Sequence, residues 1–346
     1  MEISKKIFGE LNGQNEIFLF TISHESGAYI ELSNYGATWI SAVVPDKFGK
    51  LSDVLLGYKD FSGYLLDTNY MGSTIGRFAN RIKNASFSIE DETYYLEKND
   101  GENSNHSGSG GFHSKIFNYE IKETEIIFSL LSLDGEGGFP GNVNLKISYS
   151  FSHDLKVRIK YSATTDKTTF LNITNHAYFN LSYSENILHH QLYIPSEFIL
   201  ETNQNFIPTG NYLPVKSTVF DFTRFKQIGA DINKPIDELL WNKGYNHCYP
   251  IHKNDKELTL SAILFDELSG RILKLYSTLP SVLIYTSGFL SSETQGKFGK
   301  KYNPSEGICL EVQYFPDSPN QPNFPSCLLH KDEIYDHCIE YHFGNS

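Results

Sequence analysis

The sequence predicts an all-β fold, a large antiparallel β-sandwich with few short helices. Short apolar or alternating stretches recur along the whole chain, and turn dipeptides such as Asn12-Gly13 and Asp134-Gly135 separate them. The 346 residues include 22 tyrosines and 25 phenylalanines, residue types that suit a pleated surface. The chain has no repeat period and no break in composition. We therefore expect residues 1–346 to form a single domain.

Ten stretches have the length and the apolar pattern of β-strands. In chain order they are Ile17–Ile22, Ala28–Leu32, Trp39–Val44, Ser86–Ile89, Ile126–Leu131, Val143–Phe151, Val157–Ala163, Leu258–Phe265, Ile272–Ser277 and Val282–Tyr285. Helical patterns are scarce. Ile232–Trp241 is the best candidate for a helix, and Asp60–Leu66 is a weaker one.

The segment Gly307–Leu329 contains an apolar strand that carries one carboxylate. Alternation divides this strand into two faces, one with Ile308, Leu310 and Val312 and the other with Cys309, Glu311 and Gln313. Four prolines between Pro316 and Pro325 exclude a central strand there and predict a stiff connector. A single carboxylate side chain on such a strand is suited to act as a general base. A glutamate that faces solvent before a surface loop would give the same pattern, so both interpretations stand.

A second group of polar residues lies between Phe170 and Leu181. Alternation puts its polar side chains on one strand face, namely Asn172, Thr174, His176, Tyr178 and Asn180. The opposite face is apolar apart from Asn175. Such a face is typical of a cleft for a polar ligand, because ligand hydroxyls need donors and acceptors. The alternative is a wet outer surface on which His176 has no function.

Two earlier segments combine turn residues with single functional side chains. Thr74–Ile82 reads TIGRFANRI, and Asn99–Ser107 reads NDGENSNHS. Arg81 offers a rigid fork of donors for hydroxyl oxygens, although an arginine of this kind often forms a surface ion pair. We expect His106 to lie in an accessible loop, because glycine, serine and asparagine surround it.

Composition excludes several classes of partner. A formal net charge of −12 and a pI near 5.5 argue against a nucleic-acid groove and against an anionic membrane surface. We expect neither a signal peptide nor a membrane span, because no apolar run has the required length. A cytoplasmic protein, monomer or homodimer, with its four cysteines reduced, is the resulting expectation.

Together the four segments resemble the aldose 1-epimerase (galactose mutarotase) family. The matching strings are GRFANRI, GEN..NHSG, NITNHAYFNL and GICLEVQYFPDSPNQPNFPS, in the family's order between Gly76 and Ser326. The resemblance implies a β-sandwich of the galactose mutarotase type with an open cleft across one sheet. It implies that Glu311 is the catalytic base and His176 the catalytic acid, with His106 close to the reacting atoms. It implies no metal and no organic cofactor.

The resemblance also implies sugar-binding positions. Asn80 and Arg81 match residues that bind the sugar in the family, and we expect Tyr178 to stack on the apolar face of the pyranose. Asn246 stands where family members commonly have an aspartate, so we expect altered contacts to the sugar hydroxyls. Leu283 stands where some members have a glutamine.

The chemistry of an anomer exchange suits these residue types. Ring opening removes the proton of the C1 hydroxyl and gives a proton to the ring oxygen, and closure on the other carbonyl face yields the other anomer. A carboxylate such as Glu311 and an imidazolium such as His176 can carry out both transfers, each worth roughly 10²–10⁴-fold. His106 is the second candidate for the acid. We therefore expect an isomerase that acts on free hexoses such as D-galactose and D-glucose.

Three alternatives remain open. An epimerase of the same fold could act on a disaccharide or on a sugar phosphate, for which Arg77, Arg81 and Arg224 are candidate phosphate ligands. A relative without turnover could bind sugars only. The pair Glu311 and Asp317 also allows a glycosidase, which uses two carboxylates flanking one bond.

Seven other histidines lack the spacing of metal ligands, and we expect structural or surface roles for them. They are His189, His190, His247, His252, His330, His337 and His342.

Overall fold

The computed structural model describes residues 1–182, 184–252, 256–297 and 299–346. The first ten strands are β1 (Glu2–Leu11), β2 (Asn15–Ser23), β3 (Tyr29–Ser33), β4 (Thr38–Pro45), β5 (Leu51–Asp53), β6 (Thr74–Ile75), β7 (Arg81–Ile82), β8 (Ser86–Ile89), β9 (Glu92–Tyr95) and β10 (Ser104–Asn105). The next nine are β11 (Asn118–Ile121), β12 (Glu125–Ser132), β13 (Val143–Phe151), β14 (Lys156–Thr165), β15 (Thr169–Phe170), β16 (Thr174–Asn175), β17 (Tyr178–Phe179), β18 (Gln191–Tyr193) and β19 (Phe198–Thr202). The last nine are β20 (Pro208–Pro214), β21 (Lys226–Gln227), β22 (Asn246–Pro250), β23 (Thr259–Phe265), β24 (Arg271–Ser277), β25 (Ser281–Tyr285), β26 (Ile308–Gln313), β27 (Leu328–Leu329) and β28 (Tyr335–Asn345).

Three sheets build the sandwich. One has five strands in chain order, β1 to β5, and one has four strands in the order β17-β26-β25-β22. The largest has nine strands in the order β11-β12-β13-β14-β28-β24-β23-β18-β21. The strand pairs inside these sheets are antiparallel. The predicted all-β class and antiparallel pairing are therefore confirmed.

The largest hydrophobic cluster lies between the layers. It receives Phe20 from β2, Ile147 from β13 and Leu310 from β26, so all three sheets contribute to it. The nine-stranded sheet contacts the five-stranded sheet through β13 and β2, and it contacts the four-stranded sheet through β23 and β25. Burial of apolar side chains from facing sheets is the main stabilising contribution in such a sandwich.

The ten predicted strands all occur, with ends that match or differ by at most two residues. The prediction omitted several others, among them β1 and β28. β1 is an edge strand with mostly exposed side chains, so its sequence has no apolar alternation. β28 lies between β14 and β24, and this central position depends on pairings with residues far away in the chain.

The two α-helices are shorter than their patterns suggest. The weaker candidate is confirmed as α1 (Phe61–Leu65). The better candidate, Ile232–Trp241, is corrected to α2 (Asp237–Asn242), because Pro235 has no N–H donor and disfavours a helical residue before it. Within the part of the chain that the structure describes, neither helix has the length and apolar character needed to cross a membrane.

The stretch Phe170–Leu181 is not one strand. It forms three two-residue strands, β15, β16 and β17, which pair with β27, β6 and β26 respectively. The chain therefore passes between three partners and does not keep a single alternation of faces. The predicted polar face is wrong as a continuous surface, and its five residues have different environments.

Candidate active site

The four-stranded sheet forms the floor of a pocket. Its register pairs Glu311 with Leu283, and it pairs Cys309 with Tyr178 on one side and Tyr285 on the other. The predicted alternation of β26 is confirmed, because Ile308, Leu310 and Val312 belong to the main core. Glu311 and Cys309 therefore lie on the same face, two residues apart.

The pocket has a volume of about 400 Å³ and is lined mainly by polar and aromatic side chains. The structure brings all seven predicted site residues to it, namely Asn80, Arg81, His106, His176, Tyr178, Asn246 and Glu311. Such a cavity lies in the size range of small-ligand sites.

Glu311 is buried at the floor of the pocket, so the interpretation as a solvent-facing residue is wrong. Its side chain is 2% exposed, and its Oε1 atom lies 3.7 Å from Nε2 of His176. Its Oε2 atom has no hydrogen-bond partner among the described residues. Burial raises the pKa of Glu311 to about 8, and the positive charge of Arg81 opposes this shift.

His176 is held by its backbone and by its ring. The backbone N–H of His176 donates to the carbonyl of Ser73 at 3.0 Å. Its ring stacks on Tyr178 with centroids 5.1 Å apart. Burial lowers the pKa of His176 to about 4. Both shifts disfavour the charged forms, so they favour a protonated Glu311 beside a neutral His176 in the protein without sugar.

His106 follows β10 and is buried, which corrects the expectation of an accessible loop. It is 6% exposed, and its φ of 53° lies in the left-handed region. The backbone N–H of Asn80 donates to Nδ1 of His106 at 3.2 Å. Nδ1 must therefore carry a lone pair, which leaves the hydrogen of the neutral ring on Nε2. Burial lowers the pKa of His106 well below its usual value, and the nearby His176 adds to this.

Arg81 lies on one wall of the pocket. Its Nε donates to Oδ2 of Asp100 at 2.6 Å, and its guanidinium lies 4.7 Å from the ring centroid of Phe206. The Oδ1 atom of Asn80 accepts the backbone N–H of Arg81 at 2.8 Å. These contacts hold the guanidinium plane in one orientation, so its remaining N–H groups can bind an oxygen with little loss of entropy.

Tyr178 supports His176, and other aromatic rings are more open to a ligand. Tyr178 is 2% exposed, and its hydroxyl donates to the carbonyl of Asn69 at 3.0 Å. Phe289, in contrast, is 42% exposed at the rim, where its centroid lies 6.0 Å from that of Phe206. Tyr178 lines the pocket, so its stacking on the sugar stays a prediction, and Phe289 is a second aromatic ring that a ligand could reach.

The sequence analysis missed several residues of the pocket. Tyr70 packs against both histidines, with ring centroids 4.7 Å from His106 and 5.9 Å from His176. Asp67 fixes its loop by accepting the N–H groups of Asn69 and Met71. Also missed were Asp100, Phe206, Tyr285 and Phe289. The sole sequence signal for Tyr70 is its position shortly before the TIGRFANRI string.

Two other polar residues of Phe170–Leu181, both asparagines, form hydrogen bonds that hold the fold together. Asn172 donates to the carbonyl of Ala79 at 3.1 Å and accepts the N–H of Tyr314 at 2.8 Å. Asn180 donates to the carbonyl of Glu306 at 2.9 Å. These asparagines hold backbone segments together and do not line the pocket.

The positions that depart from the family pattern lie in or beside the pocket. Asn246 is partly exposed in β22, and Leu283 is 4% exposed beside Glu311. Ser107, which follows His106, has a φ of 66°. Its hydroxyl accepts the N–H of Phe78 at 2.9 Å, so the loop after His106 remains tied to its neighbour.

Most of the residues on which two alternatives depend lie outside the pocket. Asp317, the second carboxylate of the glycosidase hypothesis, does not line the pocket and accepts the backbone N–H of Lys83 at 2.9 Å. Arg77 is 1% exposed and donates to carbonyls that include that of Gly141 at 2.8 Å. Arg224 is exposed and does not line the pocket either, so Arg81 is the one member of the proposed phosphate cluster that does.

The remaining histidines do not line the pocket, which agrees with structural or surface roles. His190, for example, accepts the N–H of Leu181 at 2.9 Å, and Nδ1 of His247 accepts the N–H of Asn246 at 3.0 Å.

The pocket residues that could contact one metal ion are His106, His176 and Glu311, whose ligand atoms lie within 4.8 Å of one another. The hydrogen bond from Asn80 to His106 leaves the pocket-side nitrogen protonated, and a protonated nitrogen cannot be a ligand. The three residues therefore suit proton transfer and hydrogen bonding better than metal binding. A second group, His24, Glu25 and His153, lies at the surface.

Comparison with known proteins defines the class. A family model described as aldose 1-epimerase matches residues 19–342. Human galactose mutarotase is 34% identical over 345 residues, covering 99% of this chain and 98% of the relative. Escherichia coli aldose 1-epimerase is 32% identical over 329 residues, 94% of each chain. The crystal structure of an aldose epimerase homologue from C. elegans has a TM-score of 0.88 at 29% identity, over 94% of this chain and 98% of that one.

These similarities identify the protein as an isomerase of carbohydrate metabolism. The chain belongs to the aldose 1-epimerase family.

Proposed function

We propose that the protein is a mutarotase that interconverts the α and β anomers of free hexoses such as D-galactose and D-glucose. The observation that carries this proposal is the buried pair of Glu311 and His176, which shares one proton at the floor of a polar pocket. The human relative is called a galactose mutarotase, which supports galactose as one substrate.

In the proposed mechanism Glu311 accepts the proton of the C1 hydroxyl, and His176 donates a proton to the ring oxygen. The productive form has the proton on His176 and an ionised Glu311. It contains the same number of protons as the form in the protein without sugar, so no proton has to enter from solvent. Each transfer is expected to contribute roughly 10²–10⁴-fold.

Ring closure reverses both transfers. After rotation about the C1–C2 bond, Glu311 returns its proton to the carbonyl oxygen and His176 takes the proton of the C5 hydroxyl. The enzyme is thereby restored, and the product differs from the substrate only at C1. No bond to water forms, which separates this reaction from glycoside hydrolysis.

The remaining residues would bind and orient the sugar. The Nε2–H of His106 would donate to a hydroxyl or ring oxygen of the sugar, because the hydrogen bond from Asn80 sets its tautomer. Arg81 and Asn246 would bind hydroxyls. Phe206 and Phe289 offer an apolar surface at the rim for one face of a pyranose. Such alignment lowers the entropic cost of each proton transfer.

Exchange NMR at anomeric equilibrium tests the proposal across substrates. The protein is expected to produce cross-peaks between the α and β H1 signals of D-galactose and D-glucose. Lactose and galactose 6-phosphate extend the panel to a disaccharide and a sugar phosphate. Anomer exchange that occurs only with lactose or only with galactose 6-phosphate would replace free hexoses as the proposed substrate class. Saturation transfer from protein to sugar without anomer exchange would favour a sugar-binding protein.

The pH dependence of kcat/KM provides a prediction of its own. Below about pH 4 both groups are protonated and the base is lost, and above about pH 8 both are deprotonated and the acid is lost. We expect a plateau between these limits, with a fall on each side. Rates are measured by exchange NMR against buffer blanks, which subtract the spontaneous reaction. Activity that keeps rising above pH 9 would contradict a proton donor in this pair.

Position 246 is expected to control affinity more than turnover. Asn246→Asp supplies two charged acceptor oxygens, so KM for D-galactose should fall roughly tenfold with kcat changed less than about threefold. Asn246→Leu removes the acceptor and should raise KM. Steady-state kinetics of both variants check the prediction. A loss of kcat at constant KM in both would instead assign Asn246 to the transition state.

We further propose that residues 1–346 form one domain and that the protein acts in the cytoplasm. The continuous core, which extends from Phe20 to Phe343, supports the single domain. All four cysteines are free thiols, which supports a reducing compartment.

A further inference from the structure

Cys309 contacts the candidate acid on the side opposite the base. Its Sγ atom lies 3.5 Å from Nδ1 of His176, within hydrogen-bond distance for sulfur. Both side chains are buried, Cys309 completely. Pairing of β26 with β17 fixes the position of the sulfur beside the imidazole ring of His176, because Cys309 and Tyr178 are register partners.

One strand therefore contacts both nitrogens of the same imidazole. Glu311 of β26 faces Nε2, and Cys309, two residues earlier on the same face of β26, faces Nδ1. The imidazole bridges two side chains whose spacing is set by the strand repeat. A shift of β26 would move both contacts together, which ties the ring orientation to the position of the base.

We propose that Cys309 is a positioning residue for His176, with a sulfur that accepts the hydrogen bond of Nδ1–H in both the neutral ring and the imidazolium. The proposal rests on the function proposed above, in which His176 alternates between these two states. His176 gives and takes its proton at Nε2, so Nδ1 keeps its hydrogen in both states and the lone pairs of the thiol can accept it throughout. No proton moves to or from the sulfur in either state.

The weakness of sulfur as a partner suits this role. A carboxylate at Nδ1 would strongly favour the imidazolium and make it a poor acid, whereas a purely apolar neighbour would leave the Nδ1–H of the imidazolium buried without an acceptor. Burial, with the charge of Glu311, raises the pKa of Cys309 well above its usual value and keeps it a thiol. Cys309 therefore adds no negative charge beside the ring.

Other groups around His176 approach the ring from different directions. The titratable groups that face it from the neighbouring strands and loops are Glu311, His106, His113, Tyr70, Tyr178 and Cys309. Among the described residues, Cys309 supplies the side-chain hydrogen-bond contact at Nδ1. A change in the titration of His176 on replacement of Cys309 would therefore report this contact.

Two replacements separate hydrogen bonding from packing. Cys309→Ala removes the partner, and we expect kcat to fall about tenfold with KM changed less than about twofold, the size of one lost hydrogen bond. Cys309→Ser keeps a donor and acceptor of similar size and should keep kcat within about threefold of wild type. Cys327→Ala, at another buried cysteine that lies outside the pocket, is the matched control and should leave kcat unchanged.

Imidazole NMR of His176 gives a readout that does not require turnover. In wild-type protein the ring ¹⁵N shifts should show Nδ1 hydrogen-bonded. Cys309→Ala should lower the pKa of His176, and Cys309→Ser should raise it, because a hydroxyl is a better acceptor than a thiol. Unchanged His176 titration in both variants would overturn the proposal, and so would equal losses of kcat in Cys309→Ala and Cys309→Ser. A wild-type protein without mutarotase activity would refute the proposed function, whereas the NMR shifts would still test the contact.

Discussion

Glu311→Gln is expected to lower kcat by roughly 10²–10⁴-fold and to change KM little. Glutamine keeps the size of the side chain and its place in β26 beside Leu283, but it cannot accept a proton. The loss should therefore fall on the transition state, while the sugar still binds to the walls of the pocket. Initial rates with increasing D-galactose give kcat and KM separately.

Asn246→Ala is the control for this prediction. Asn246 lies on the same floor as Glu311, in β22, so both replacements alter one surface of the pocket. We expect Asn246→Ala to raise KM more than it lowers kcat. Equal losses of kcat in the two variants would contradict the assignment of Glu311 as the base.

His176→Gln is expected to have the second large effect, a fall in kcat of roughly 10²–10⁴-fold. Glutamine can donate a hydrogen bond but cannot release a proton to the ring oxygen. Because Glu311 and His176 act as one pair, the double variant should be little worse than either single variant. The three variants are compared by kcat at saturating sugar.

The outcome for the double variant decides between one pair and two independent groups. Losses that multiply in the double variant would mean that the two residues act separately. Full activity of His176→Gln together with inactivity of a His106 variant would move the acid to His106, which lies beside His176 with ring centroids 5.3 Å apart. Circular dichroism of each variant checks that the fold is kept.

Local alternation predicted the parts of the site that lie on a regular strand. β26 is regular, so the pattern of Cys309, Glu311 and their apolar neighbours identified the pocket face correctly. The same reasoning failed for Phe170–Leu181, because three short strands there pair with three different partners. Of its five polar residues only His176 and Tyr178 reach the pocket. Alternation describes a strand, and it cannot show where a strand ends when its partner changes.

Other parts of the site depend on long-range contacts. Tyr70, Phe206 and Phe289 come from three separate loops, and no local pattern connects them. The burial of His106 follows from its left-handed backbone and from the hydrogen bond of Asn80, which a loop-like composition conceals. The family resemblance identified His106 and Asn80, while the tautomer and the proton count of the acid–base pair required the structure.

The measurement that tests the central claim most directly is polarimetry of freshly dissolved α-D-galactose and α-D-glucose. Wild-type protein is expected to speed the drift to the equilibrium rotation, and Glu311→Gln protein at the same concentration should leave the drift close to its spontaneous rate. Faster drift with both proteins would contradict Glu311 as the base. A spontaneous rate with wild-type protein on both sugars would contradict the proposal that free hexoses are the substrates.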